Sequence, residues 1–132
     1  MTATIGLTAP QEAAAAGSTV CGSGFKMTYN ERLPDARRFG TVFTYQRSDG
    51  NGHIDTCVIF DNNLAGAKYM KLKLCPNDTA RPCSVDEGNF TSYAVGIVLN
   101  ADLCPKVTLV MKESQNSSSA LIDRVFHVPP CD

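Results

Sequence analysis

Three stretches of the sequence carry residue types that do chemistry. Asp49-Gly50-Asn51-Gly52-His53-Ile54-Asp55 offers oxygen ligands at alternating positions, the way a calcium loop begins. Such a loop needs a further acidic residue at its fifth position and a Glu at its twelfth. His53 and Phe60 stand there instead, so the stretch reads as a hairpin turn. Cys21-Gly22-Ser23-Gly24 has the small residues of a nucleophile turn. Cys21 and Phe25, however, occupy the flanking positions that G-x-S-x-G fills with glycine. His53 and His127 carry the side chain of a general base, and nothing in the sequence fixes either one beside a carboxylate or a nucleophile. The sequence therefore assigns no catalytic residue, no metal ligand and no cofactor site.

The cysteines say more. Cys21, Cys57, Cys75, Cys83, Cys104 and Cys131 are an even set with no C-x-x-C, and the two histidines lie at no zinc-ligand spacing from them. That pattern predicts three disulfides and an oxidising compartment. Six cysteines allow fifteen pairings, and sequence does not choose among them. Cys75 and Cys83 bracket a turn-rich stretch bounded by Pro76 and Pro82, which favours a local staple worth about 2–3 kcal/mol of unfolded-state entropy. Cys57 and Cys104 each abut an apolar run, which suggests a strand-to-strand bond worth about 4 kcal/mol, and Cys21–Cys131 would then clasp the ends.

The elements that must position these residues read as strands. Met70, Leu72 and Leu74 alternate with Lys71 and Lys73, the period of a strand with one buried and one wet face. On that reading Lys68, Lys71 and Lys73 form the solvated face. Residues 41–45 and 56–60 are β-branched and aromatic, and the Ser48–Gly52 stretch between them has hairpin chemistry. Asn89 to Asn100 reads as one long strand with Tyr93, Val95, Ile97 and Leu99 on one side and a bulge or bend at Gly96. Residues 107–111 and 122–128 supply two more, and helical periodicity is weak. The expectation is an all-β fold, a small antiparallel sandwich or barrel of six to seven strands stabilised by disulfides.

Composition narrows the partners. The 132 residues are 43% hydrophobic and 19% charged, enough to build a core in a single domain. A formal net charge of −1, with Arg37-Arg38 as the densest basic pair, argues against nucleic acid. No apolar run is long enough to span a bilayer. Asn77, Asn89 and Asn116 each begin an N-glycosylation sequon, a signal with meaning only in a eukaryotic secreted chain. Aromatics are few and there is no Trp, so no sugar-stacking platform is evident.

Residues 1–18 form a separate stretch before a β domain over 19–132. They hold small residues, Ala13–Ala16, Pro10 and a single charge at Glu12. The stretch reads either as the remnant of a leader, with no basic n-region before it, or as an extended arm. As an arm, Ile5, Leu7 and Pro10 are the partner-binding residues, suited to a groove or a sheet edge.

Several short motifs bear a resemblance. Val20-Cys21-Gly22-Ser23-Gly24-Phe25, Gly40–Tyr45, Cys57-Val58-Ile59 and Gly88-Asn89-Phe90-Thr91-Ser92-Tyr93-Ala94, with Cys104 beyond, resemble the spore-associated protein A family of small exported actinobacterial proteins. The likeness runs from Val20 to Met111. It implies export to the medium or the spore or cell surface and a β fold, and it brings no catalytic residue or cofactor. The Cys75–Cys83 loop, the lack of a Trp after the Cys104 strand and the segment Ala120–Asp132 depart from that pattern.

Function is thus expected to be non-enzymatic. The first expectation is a secreted protein–protein interaction domain, an adaptor that binds one secreted partner through its N-terminal arm. The alternative is an inhibitor of an extracellular protease or other hydrolase that inserts the Cys75–Cys83 loop, whose closure lowers the entropy cost of binding.

Overall fold

The computed structural model describes residues 20–131. Eight strands follow one another as β1 (Lys26–Leu33), β2 (Gly40–Ser48), β3 (Ile54–Asn62), β4 (Lys68–Cys75), β5 (Ser84–Phe90), β6 (Tyr93–Val98), β7 (Lys106–Lys112) and β8 (Ile122–His127). They form two four-stranded antiparallel sheets, β1-β2-β3-β6 and β5-β4-β7-β8, facing each other as a sandwich. The chain crosses between sheets after β3, β5 and β6.

The core follows from period two. Val42, Val58, Phe60, Ala94 and Val98 point inward from the first sheet, against Met70, Leu72, Leu74, Val107, Leu109, Met111 and Ile122 of the second. Each is almost wholly buried, and burying one such large side chain contributes about 1.5–3 kcal/mol. The β4 alternation holds, with Lys71 and Lys73 on the opposite face from Leu72. Lys68 does not join them: it shares the phase of Met70, and its Nζ bonds to the Ala65 carbonyl.

Asn89–Asn100 is not one strand. Thr91 and Ser92 turn the chain, so Phe90 ends β5 in the second sheet and Tyr93 starts β6 in the first. The residues of β6 that face the core are Ala94, Gly96 and Val98, not the larger Tyr93, Val95 and Ile97. Gly96 is required by space, because a Cβ there would sit 2.6 Å from Leu72 Cδ2. The free edge of β6 is closed by side chains of β5: the Val95 amide donates to Asp86 Oδ2 at 2.9 Å and the Ile97 amide to Ser84 Oγ at 3.2 Å. At the opposite margin Arg124 of β8 bonds Glu31 of β1 at 2.9 Å, and the Tyr29 and Phe126 rings lie 5.7 Å apart.

The first sheet also buries part of its outer face. Phe43, Tyr45, Cys57 and Ile59 point away from the sandwich interior and pack with Cys21 and Phe25 from the segment before β1. This explains the disulfide map, Cys21–Cys57, Cys75–Cys83 and Cys104–Cys131. The local Cys75–Cys83 staple is as expected. The Cys57–Cys104 and Cys21–Cys131 bonds are replaced, for a geometric reason. Cys57 faces outward from β3, onto the entering segment that carries Cys21. Cys104 and Cys131 flank β7 and β8, and pairing Lys106 with His127 brings those flanks together. No disulfide joins one sheet to the other.

Candidate functional site: the disulfide-bearing end

Strand directions place five connecting segments at one end of the sandwich: residues 20–25, 49–53, 76–83, 99–105 and 128–131. All three disulfides lie at this end.

A chain of hydrogen bonds ties four of these segments together. Arg47, near the end of β2, donates from Nη1 to the Ser23 carbonyl at 2.9 Å, and its guanidinium lies 4.4 Å over the Phe25 ring. Nε and Nη2 of Arg47 donate to Asp55 Oδ2 at 3.0 and 2.8 Å. The other Asp55 oxygen accepts the Asn100 amide at 2.8 Å. Arg81 then reaches from the Cys75–Cys83 loop to the Asn100 carbonyl at 2.5 Å and the Leu99 carbonyl at 2.6 Å. Asp102 bonds back to the β2–β3 hairpin, its Oδ1 accepting the Ile54 amide at 3.3 Å beside His53 Nδ1 at 3.3 Å.

Backbone strain gathers in the same place. Asn100, Asp102 and Cys104 have φ of 52°, 58° and 57°. Left-handed conformations cost non-glycine residues of order 1–3 kcal/mol each and persist only where surroundings impose them. Here the Asn100 and Asp102 amides are held by Asp55 and the Ile54 carbonyl, and the Cys104 amide by the Pro130 carbonyl at 2.9 Å. Such residues cluster at binding sites and clamps.

The surface so built is grooved and mixes exposed apolar side chains with charged ones. Ile97, Leu99 and Leu103 are 37%, 55% and 41% exposed. A groove of about 350 Å³ runs between Pro76, Asp78, Arg81, Asp102 and Leu103, and one of about 250 Å³ between Arg81, Pro82, Ile97 and Leu99. Arg81 is the wall between them. The loop tip Asn77–Ala80 is exposed, with Asp78 accepting the Ala80 and Arg81 amides at 3.0 and 3.1 Å.

The candidate chemical residues separate. Asp49 Oδ1 accepts the amides of Asn51 and His53, at 2.7 and 3.3 Å, and the bond from Asn51 chiefly holds its carboxyl below the usual carboxylate range. Asp55 turns instead to Arg47 and Asn100, so the two carboxylates do not converge and the stretch is a turn. Ser23 lies on the Arg47 side, and no hydrogen bond among the described residues joins it to His53 or His127. His127 ends β8 opposite Lys106. Asn77, Asn89 and Asn116 are all exposed. Ile5, Leu7 and Pro10 lie outside the described residues. The sequence reading missed Arg81, Asn100 and Leu103. The exposed Leu99 and Leu103 beside Asp102 and Asn100 were visible, but nothing local marked those loops as convergent. Comparison with protein-family models, with curated proteins and with solved structures finds no match.

Proposed function

We propose that the chain is a secreted, non-enzymatic protein-interaction domain whose disulfide-bearing end is a contact surface. The observation that carries this reading is the exposed trio Ile97, Leu99 and Leu103 on a strained, cross-braced scaffold. Exposed apolar side chains held rigidly lose little entropy when a partner covers them, and here they line two grooves that share Arg81 as a wall. Three disulfides are compatible with an extracellular protein, as is the resemblance to exported spore-associated proteins. In the adaptor form of this reading, residues 2–18 hold a second secreted partner through Ile5, Leu7 and Pro10.

The test is capture from the native secretome with the full chain, with Leu99→Asp/Leu103→Asp and with residues 2–18 deleted. The surface reading expects a protein retained by the full chain and lost on the double variant, while both melt alike. Equal retention by both overturns it. Loss of a different protein on deletion supports the adaptor form.

Inhibition of an extracellular hydrolase is a second reading, favoured by the closed Cys75–Cys83 loop. Its Cα atoms are 4.2 Å apart and Arg81 pins its base, leaving Asn77–Ala80 as a projecting tip. Stoichiometric loss of activity on titrating secreted proteases supports it, and undiminished activity at excess overturns it.

A further inference from the structure

The outer face of the second sheet carries a row of lysines. Lys71 and Lys73 project from β4, and Lys106 and Lys112 from the neighbouring β7, on the face opposite Leu72 and Leu109. The register pairs Tyr69 with Lys112, Lys71 with Val110, Lys73 with Thr108 and Cys75 with Lys106. Read along the strands, the charges fall in the order Lys112, Lys71, Lys73, Lys106. Each is one two-residue step from the last, about 6.7 Å, over roughly 20 Å. Among the described residues none of the four makes an ion pair.

Two acids share the face. Glu87 lies across from Lys71 and accepts the Tyr69 hydroxyl, and Asp123 lies across from Val110. The row thus keeps a positive excess on a chain whose net charge is −1. Val85, beside Lys73 on β5, and Val125, beside Thr108 on β8, are 52% and 46% exposed and flank the row on either side.

We propose that this face binds a linear anionic polysaccharide laid along β4 and β7. The row is one charge wide, which fits a single polymer chain and not a duplex about 20 Å across. A single-stranded nucleic acid requires aromatic platforms for its bases. The face has Tyr69, which is 8% exposed and bonded to Glu87, and a lone imidazole, His127, across from Lys106 at one end, which is no row of stacking platforms. Lysines are mobile point charges that follow a polymer without fixing its register. The flanking valines meet the apolar faces of sugar rings. This row runs along the outer face of the second sheet and meets the disulfide-bearing end only at Lys106, beside Cys75, so it does not depend on that end binding a protein.

The experiment is calorimetric titration of the full chain with short alginate oligosaccharides, beside neutral dextran oligomers, poly-glutamate and duplex DNA. Binding to alginate is expected, weakening roughly 10- to 100-fold between about 50 and about 200 mM salt. Lys71→Gln/Lys73→Gln should raise the dissociation constant about tenfold or more. Lys26→Gln/Arg32→Gln, of equal charge change on β1 of the other sheet, should leave it within about twofold. Unaltered melting of both variants keeps folding out of the comparison. The proposal is overturned if alginate does not bind or the two double variants lose affinity equally. It also fails if poly-glutamate or DNA binds as tightly as alginate.

Discussion

Asp55 grips Arg47 with one carboxylate oxygen, at 3.0 and 2.8 Å, and holds the Asn100 amide with the other at 2.8 Å. One side chain thus joins the β2–β3 hairpin to the strained loop that presents Leu99 and Leu103. Its side chain is 13% exposed, while that of Arg47 is 34% exposed, so solvent screens the ion pair and the hydrogen bonds carry more of the effect. Asp55→Asn should cost about 1–3 kcal/mol in denaturant unfolding and speed amide exchange across residues 99–104. A loss under about 0.5 kcal/mol with unchanged exchange would remove Asp55 from this role.

Gly96 faces Leu72 across the sandwich interior. Gly96→Ala places a methyl 2.6 Å from Leu72 Cδ2 and 3.5 Å from Leu74 Cβ, in a region where both leucines are wholly buried. Overpacking of this kind costs about 1–3 kcal/mol. Calorimetric melting reads it directly, and a variant as stable as the parent would show that the Leu72 side chain gives way at little cost.

The three disulfides differ in access. Cys57 and Cys21 are 0% and 7% exposed, whereas Cys83 and Cys131 are open to solvent. Thiol–disulfide exchange requires an attacking thiolate to reach a sulfur. Mild reduction followed by alkylation and peptide mapping should therefore label Cys75, Cys83, Cys104 and Cys131 before Cys21 and Cys57. Early labelling of the Cys21–Cys57 pair would mean that the outer cover of the first sheet opens readily. Unreduced, denatured protein should take up no label at all.

Tyr69 donates its hydroxyl to Glu87, and that bond chiefly pushes the phenol up to about 12. The folded state thus holds this proton more tightly than the unfolded chain, whose tyrosines titrate near 10. The resulting stabilisation is complete below about pH 10 and is lost as pH rises toward about 12. Tyr69→Phe should lack this component of the alkaline decline in melting temperature and one late step of phenolate absorbance. Identical alkaline profiles for the two proteins would contradict the assignment.

Legibility followed burial. β4 and the β2–β3 hairpin were readable because one face is apolar and the turn residues are unambiguous. β1, with the sequence Lys-Met-Thr-Tyr-Asn-Glu-Arg-Leu, is a mostly exposed edge strand, so no alternation announces it. β5 hides for the same reason behind Asp86, Glu87 and Gly88. In β6 the larger residues suggested the core face, yet Ala94, Gly96 and Val98 face it, and at 96 a Cβ would meet Leu72. The disulfide map needed the outward aim of Cys57, which depends on the parity of a strand against a second apolar layer. The left-handed Asn100 and Asp102 are imposed by Asp55 and Ile54 from far along the chain, and no short-range signal records that.

The three crosslinks have a mechanical consequence. They span 36, 8 and 27 residues and, between Cys21 and Cys131, leave uncrosslinked only the stretches from Cys57 to Cys75 and from Cys83 to Cys104. Under tension applied through the two ends, β1, β2, β7 and β8 therefore lie off the path that bears the load. Between Cys21 and Cys131 the extensible length comes from the middle of the chain, roughly 130–140 Å of contour at about 3.3–3.6 Å per residue. That middle holds the second half of β3, from Val58 to Asn62, together with β4, β5 and β6, the strands flanking the crossings between sheets. A pulled molecule gives way by peeling β4, β5 and β6 away from their partners β7 and β3, and the Leu99–Leu103 stretch is drawn out with them, while the Cys75–Cys83 loop and the β7–β8 hairpin stay looped by their sulfur bonds.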